Sequence, residues 1–329
     1  MAQADFTKLM NNKTTRMLRT LVVGGGGFIG SHLVHLMAEV GGRELIVLGR
    51  RPAPRFALPK VVRYVAGDVN NAELLSSILV DCEEVIDLAY ASVPKTSFDD
   101  PINDVLENLP PSVRLLQACA RVPLKKMLIV SSGGTVYGNA SALPIDETYP
   151  TNPISPYGIT KLAVEKYALL FHGLEGLPVV IVRPGNPYGP NQLGLIDQGF
   201  IGAAMSAVLH RKRIVVFGER GTVRDYLYIH DLSRGLLAAL NHGKLGQIYN
   251  IGTGFGHDNL AVLDTLGHIV RRDGFSVDWE TRPARSFDVA ANVLSPKRLT
   301  DISGWRPQID LSRGLEMSWS RARHLVERS

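Results

Sequence analysis

Along the first half of the chain, short runs of β-branched and other apolar residues alternate with longer stretches of helical period. Residues 18–23, 45–48, 61–65, 85–88, 127–130 and 179–182 read as strands, with helix-like segments between them. Strands that are apolar throughout are covered on both faces, and crossover helices force parallel pairing, so the pattern predicts a doubly wound α/β sheet. After Arg183 the pattern changes. Pro184, Gly185, Asn186, Pro187, Gly189, Pro190 and Asn191 mark turns, followed by a helix-like stretch over 200–209 and shorter strands, which predicts a smaller C-terminal α/β lobe. Residues 225–240 again read as strand then helix. The expected division is a loose tail over 1–16, a first domain over 17–183 rejoined by 225–255, and a second lobe over 184–224 and 256–329.

Composition narrows the class. The 329 residues are 45% hydrophobic, enough to bury a large core, which excludes general disorder. Lys and Arg exceed Asp and Glu by 36 to 31, a net charge of +5 spread along the chain rather than gathered into a nucleic-acid-binding block. Cys82 and Cys119 lie in apolar segments and are too few for a disulfide framework, which points to a reducing cytoplasm. No apolar run approaches the roughly 18 to 20 residues of a membrane span, and the polar first sixteen residues carry no signal-peptide pattern. The expectation is a soluble cytoplasmic protein with neither nucleic acid nor membrane as partner. The histidines, His230 and His257 included, show no metal-ligand spacing, so no metal is expected.

Gly24-Gly25-Gly26-Gly27-Phe28-Ile29-Gly30 follows the first strand directly and opens a helix expected to begin near Ser31. Glycine permits a tight turn and a close backbone approach to a pyrophosphate, and the helix N-terminus favours negative charge. Gly24, Gly27 and Gly30, with strand, loop, helix and next strand in order, predict a Rossmann-type dinucleotide site. The second strand ends Gly49-Arg50-Arg51, where an NAD site ordinarily places an acid for the ribose hydroxyls. The acid is missing, and Arg50 or Arg51 would suit a 2′-phosphate, which tilts the expectation from NAD toward NADP; the same arginines also read as a solvated loop. Asp68, with Val69 beside it, is placed to meet an adenine amino group or to cap a turn.

Tyr157 and Lys161 are four residues apart at a helix start, so phenol and ammonium share one face. An ammonium there favours the phenolate and is expected to lower the Tyr157 pKa toward that of a usable base.

The glycine loop, Ser131-Ser132-Gly133-Gly134-Thr135-Val136-Tyr137-Gly138, the Tyr157/Lys161 pair and Arg183-Pro184-Gly185-Asn186-Pro187-Tyr188-Gly189-Pro190 occur in that order. Together they resemble an extended short-chain dehydrogenase/reductase, and within it the UDP-glucose 4-epimerase group of NAD-dependent epimerase/dehydratases, from about residue 18 to Trp305-Arg306-Pro307. The resemblance implies a nucleotide-sugar 4-epimerase, acting on a UDP-hexose, UDP-N-acetylhexosamine or UDP-uronic acid through a transient 4-keto sugar. Tyr157 would be the base and Lys161 would bind the nicotinamide ribose. Gly133 stands where these epimerases carry the catalytic Ser or Thr, so Ser132 or Thr135 is expected to substitute, with Thr135 slightly preferred. The loop lacks the Thr-Asp-Glu of the related 4,6-dehydratases, which disfavours dehydration.

Further carry-overs complete the implied site. Cofactor contacts extend to Phe28, Ile29, Leu88, Ala89, Tyr90, Asn108 and Pro184. Tyr90 and Ser92 depart from the small-residue run of the epimerases most like this chain, and Pro110-Pro111 are expected to reshape the start of the helix after Asn108. Asn186, Arg224 and Arg285, with Arg282 a competitor, match substrate diphosphate contacts, and Asn292 falls where side-chain bulk limits the sugar pocket. A homodimer joined by four helices, and a role in cell-surface polysaccharide synthesis, follow by analogy. Two other functions remain open at this point: an NADPH-dependent reductase of a nucleotide 4-keto sugar, and a dinucleotide-sensing protein with weak catalysis.

Overall fold

The computed structural model describes residues 16–192, 199–285 and 288–326. Residues 1–15 of the expected tail, Ser286 and Phe287 beside Arg285, and 327–329 lie outside the described residues. β1 (Leu18–Val23) runs into α1 (Phe28–Val40), then β2 (Arg43–Gly49), β3 (Arg63–Ala66), α2 (Ala72–Leu79) and β4 (Glu84–Asp87). Next come α3 (Pro94–Asp99), α4 (Pro101–Ala120), β5 (Lys126–Val130), the short α5 (Gly133–Val136), α6 (Pro156–Glu175) and β6 (Val179–Pro184). The remainder holds β7 (Asn186–Tyr188), α7 (Phe200–Leu209), β8 (Ile214–Phe217), β9 (Val223–Arg224), β10 (Tyr226–Tyr228), α8 (Ile229–His242) and β11 (Ile248–Ile251). It ends with α9 (Asn259–Arg271), β12 (Trp279–Arg282), β13 (Ala291–Asn292), α10 (Lys297–Ser303) and α11 (Leu311–Val326).

Seven parallel strands form one sheet in the order β11-β6-β5-β4-β1-β2-β3. Alternate strand residues explain the doubly covered sheet. Val22, Val47 and Ile86 pack with Leu33, Met37 and Leu236 of α1 and α8, whereas Leu21, Ile46 and Val85 pack with Leu75, Leu115 and Val164 of α2, α4 and α6. The chain reverses its winding between β1 and β4, which opens a crevice at the carboxyl ends of those strands. The lobe beyond β6 is built from short parallel pairs, β7 with β10, β8 with β12 and β9 with β13. Both cysteines are free and buried. Among the described residues no helix is long and apolar enough to cross a membrane.

Three local expectations are corrected. α1 begins at Phe28 rather than near Ser31, because Gly27 caps it and the Ser31 amide already donates to the Gly27 carbonyl at 2.9 Å. The third strand starts at Arg63, not 61: the Val62 amide closes a turn onto the Pro59 carbonyl at 3.0 Å, and Val61 is exposed. α4 does not start at Pro110-Pro111 but at Pro101, capped by Asp100, whose carboxylate accepts the Asn103 amide at 2.9 Å. An interior proline costs about 3 kcal/mol. The burial of Leu115, Leu116 and Cys119 on the same helix, at roughly 1.5–3 kcal/mol for each large apolar side chain, is of the size needed to carry the helix through both.

Candidate active site

A cavity of about 1050 Å³ opens where the sheet reverses and runs on into the lobe. Its sheet end is a glycine cradle. A Cβ on Gly24, which has φ +79°, would lie 2.9 Å from the Ala89 nitrogen, and one on Gly30 would lie 2.5 Å from the Gly25 Cα. Only glycines let α1 approach β1 and the β4 loop this closely. No side chain caps α1 and its first turn holds no acid, so its N-terminal amides and dipole suit a pyrophosphate. Phe28, Ile29, Val69, Leu88, Ala89 and Pro184 line the same region. The residues present therefore fit a dinucleotide. Asp68 lines it too, while one of its oxygens closes a turn on the Asn70 amide at 2.8 Å. The tilt toward NADP is not supported: the Arg50 guanidinium pairs with Glu107 at 2.9 Å.

At the middle of the cavity stands the pair on α6. Ser155 caps this helix by accepting the Gly158 amide at 3.1 Å, and Pro156 fits its first position, which sets Tyr157 in the first turn facing the cavity. Ser132 lines the cavity beside the Tyr157 phenol and favours its ionised form. Burial outweighs that influence and pushes the Tyr157 pKa up to about 12, and the charge of Asp104 adds to the rise. The expectation that Lys161 lowers the Tyr157 pKa is corrected here, because the ammonium is engaged elsewhere: it donates to the Val130 carbonyl at 2.9 Å. Burial pulls the Lys161 pKa down to about 8, opposed by Asp87, Glu165 and Asp104. Asp87, at the end of β4, is itself pushed up to about 6 by burial, against Lys161 and the Ala89 amide.

Thr135 and Asn186 line the cavity, and among the described residues the Thr135 hydroxyl and the Asn186 Oδ1 are buried without a hydrogen-bond partner. An unpaired buried polar atom calls for a partner that the chain itself does not supply. A Cβ on Gly133 would sit 2.4 Å from Leu294 Cδ1 and 3.0 Å from the Arg183 carbonyl, so a side chain at that position would require Leu294 to move. Farther along, Arg224 is half-buried, with its pKa lowered by desolvation, and its Nη1 donates to the Val223 carbonyl at 2.9 Å. Arg285 lies over the Phe217 ring at 4.2 Å and pairs with Asp288 at 2.8 Å. The two guanidiniums are close enough to repel, a charge arrangement that suits a diphosphate.

Every proposed site residue lines this cavity except Asn292. Asn292 is fully buried, its amide donating to the Gly133 carbonyl at 2.9 Å, so it braces the Ser132 loop rather than limiting a sugar pocket. Asn108 is a latch: its Oδ1 accepts the Ala91 amide at 2.7 Å and its Nδ2 reaches Ser92. Sequence reasoning missed Asp104 and Phe217. Asp104 stands four residues before Asn108 on one helix face, a spacing that was readable; the contact between Phe217 and Arg285 crosses two distant segments and left no local signal.

Comparison with known proteins agrees with this geometry. Residues 20–252 match the NAD dependent epimerase/dehydratase family, and the chain belongs to it. It is 32% identical over 304 residues to the UDP-glucose 4-epimerase of Mycolicibacterium smegmatis, covering 91% of this chain and 96% of that one. It is similar to the crystal structure of the UDP-glucose 4-epimerase of Thermotoga maritima with UDP-glucose, with TM-score 0.88, 30% identity, and coverage of 94% and 100%. It is also similar to the UDP-glucuronic acid 4-epimerase of Bacillus cereus in complex with UDP-glucuronic acid and NAD, with TM-score 0.85, 27% identity, and coverage of 94% and 100%.

Proposed function

We propose that this enzyme interconverts two UDP-sugars of opposite C4 configuration, with NAD as resident cofactor and a transient 4-keto sugar between them. The observation that carries the reading is the placement of Ser132, Tyr157 and Lys161 on one cavity wall, between the glycine cradle and the Arg224/Arg285 pair. NAD, when bound, supplies the hydride acceptor and, oxidised, a positive charge that favours the Tyr157 phenolate. Tyr157 takes the C4 hydroxyl proton and returns it after the sugar has turned over. Ser132 hydrogen-bonds the same oxygen, and Lys161 orients the cofactor ribose. Arg224 and Arg285 clamp the diphosphate while the sugar turns, and the unpaired oxygens of Thr135 and Asn186 accept sugar hydroxyls.

The test is to identify the dinucleotide extracted from purified protein. The protein is then offered UDP-hexoses, UDP-N-acetylhexosamines and UDP-hexuronic acids, with sugar configuration read by NMR and nicotinamide by absorbance. Interconversion without net absorbance change supports the reading. Stoichiometric cofactor consumption would replace it with a reductase, and firm binding with no sugar change would sink it. In the same assay Ser132→Ala is expected to lower kcat by about 10²-fold. Thr135→Val is expected to raise KM by about tenfold with kcat kept, as the loss of one neutral hydrogen bond implies.

A homodimer belongs to this reading. The outer faces of α4 and α6 expose Ile102, Val105, Leu106, Ile159, Leu170 and Leu174, the last 75% exposed. Adjacent exposed apolar side chains of this kind mark an interface. Wild-type protein is expected to sediment as a dimer, and Leu170→Glu with Leu174→Glu as a folded monomer; a monomeric wild type would refute it.

A further inference from the structure

Lys161 is enclosed by an unusual set of groups. Beyond the Val130 carbonyl, its ammonium lies 4.0 Å from the centroid of the Tyr90 ring, nearer than the 5.9 Å to the Tyr157 ring. Tyr90 and Tyr157 meet edge to face, with centroids 4.8 Å apart and planes at 68°. The Tyr90 hydroxyl donates to the Tyr157 carbonyl at 3.5 Å, and the hydroxyls of Thr160 and Ser92 are near enough to act on it. Both of those hydroxyls donate to Asp104, Thr160 at 2.7 Å. Asp104 is buried, and its partners are hydroxyls rather than a cation among the described residues. The loop carrying Tyr90 and Ser92 is pinned to α4 by the bond from the Ala91 amide to Asn108.

We infer that Tyr90 is a positioning residue, whose ring face holds the Lys161 ammonium and whose edge seats Tyr157. The inference rests on the reading of Tyr157 and Lys161 as the catalytic pair. A desolvated ammonium over an aromatic face is attracted by the ring quadrupole, and the attraction strengthens as water is excluded. The charged groups facing Lys161 are Asp87 from β4, Asp104 from α4 and Glu165 from α6, and Glu165 is neutralised by Arg183 of β6. None of these carboxylates is in ion-pair contact with Lys161 among the described residues, so the carbonyl and the π face fix where the ammonium points. With three carboxylates near by and no ring, the side chain would be free to swing toward one of them and away from Tyr157.

The ring favours the ammonium over the neutral amine, so it holds the Lys161 pKa up against burial. Removing it lowers that pKa further in the direction burial already drives it, and the alkaline limb of kcat/KM moves to lower pH with it. The protein with its co-purified dinucleotide is isotope-labelled at lysine Cε, and the Lys161 signal is assigned by its loss in Lys161→Arg. It is then titrated in wild type, Tyr90→Phe, Tyr90→Leu, and chains bearing ring-fluorinated phenylalanines at position 90. Phe is expected to titrate close to wild type, successive fluorination to lower the Lys161 pKa stepwise, and Leu to lower it by about one unit, a tenfold effect. Equal titration throughout, or a fall in Phe as large as in Leu, overturns the inference; the fluorinated series keeps the side chain's shape and decides the matter if the Leu variant does not fold. The titration needs no turnover, so its outcome stands even if no sugar in the panel is epimerised.

Discussion

Tyr157→Phe is expected to cut C4 interconversion by about 10³-fold, within the range lost when a positioned acid–base group is removed, while bound dinucleotide and thermal stability stay near wild type. The substitution deletes one oxygen on the cavity wall, and no described residue is left with a stranded buried partner: Ser132 beside it also lines the cavity. The ring keeps its edge-to-face contact with Tyr90. Because burial holds the Tyr157 pKa near 12, the phenol is protonated in the protein without cofactor. Its use as a base thus depends on positive charge arriving with the oxidised cofactor. Single-turnover NMR with bound dinucleotide quantified in parallel checks this. Activity within tenfold of wild type, with the cofactor fully retained, would remove Tyr157 from the base role.

The sheet was legible because its strands are apolar on both faces, and Val22 and Val23 do face opposite helix layers. The glycine cradle and the Tyr157/Lys161 spacing were legible because each is local: a turn, and one helical turn. What was not legible arises from contacts between segments distant in sequence. Asn292 turned inward because Gly133, 159 residues earlier, offers it a carbonyl. Both Ser132 and Thr135 line the cavity, and the space beside Gly133 is filled by Leu294, a contact across 161 residues that the sequence does not show. Arg50 looked available for a phosphate, yet Glu107 of α4 meets it. Pro110-Pro111 looked like a helix start since the sequence shows the lost amides but not the apolar face that overrides them.

Glu165→Ala is expected to destabilise the protein by about 3–5 kcal/mol, the cost of leaving one member of a buried pair uncompensated. Glu165 and Arg183 are 1% and 3% exposed, and they meet through two hydrogen bonds of 3.0 and 2.6 Å, with Ser131 donating to the same carboxylate. Arg183 also lies over the Tyr137 ring at 4.8 Å. With total stabilities of roughly 5–15 kcal/mol, a loss of this size moves the chemical denaturation midpoint far toward zero denaturant. Glu165→Gln, which keeps the shape and part of the hydrogen bonding, is expected to lose less. The double variant Glu165→Leu with Arg183→Met is expected to recover most of the loss, since desolvating both charges roughly cancels their attraction. The pair's value then lies in geometry rather than stability: Glu165 stands one helical turn beyond Lys161 and ties α6 to β6 and, through Ser131, to the end of β5, where the Ser132 loop begins. A double variant as stable as wild type but with kcat reduced and KM for the nucleotide sugar unchanged would show the pair setting the register of Tyr157 against Ser132. Full activity in that variant would show the packing of α6 on α4 to be sufficient for it.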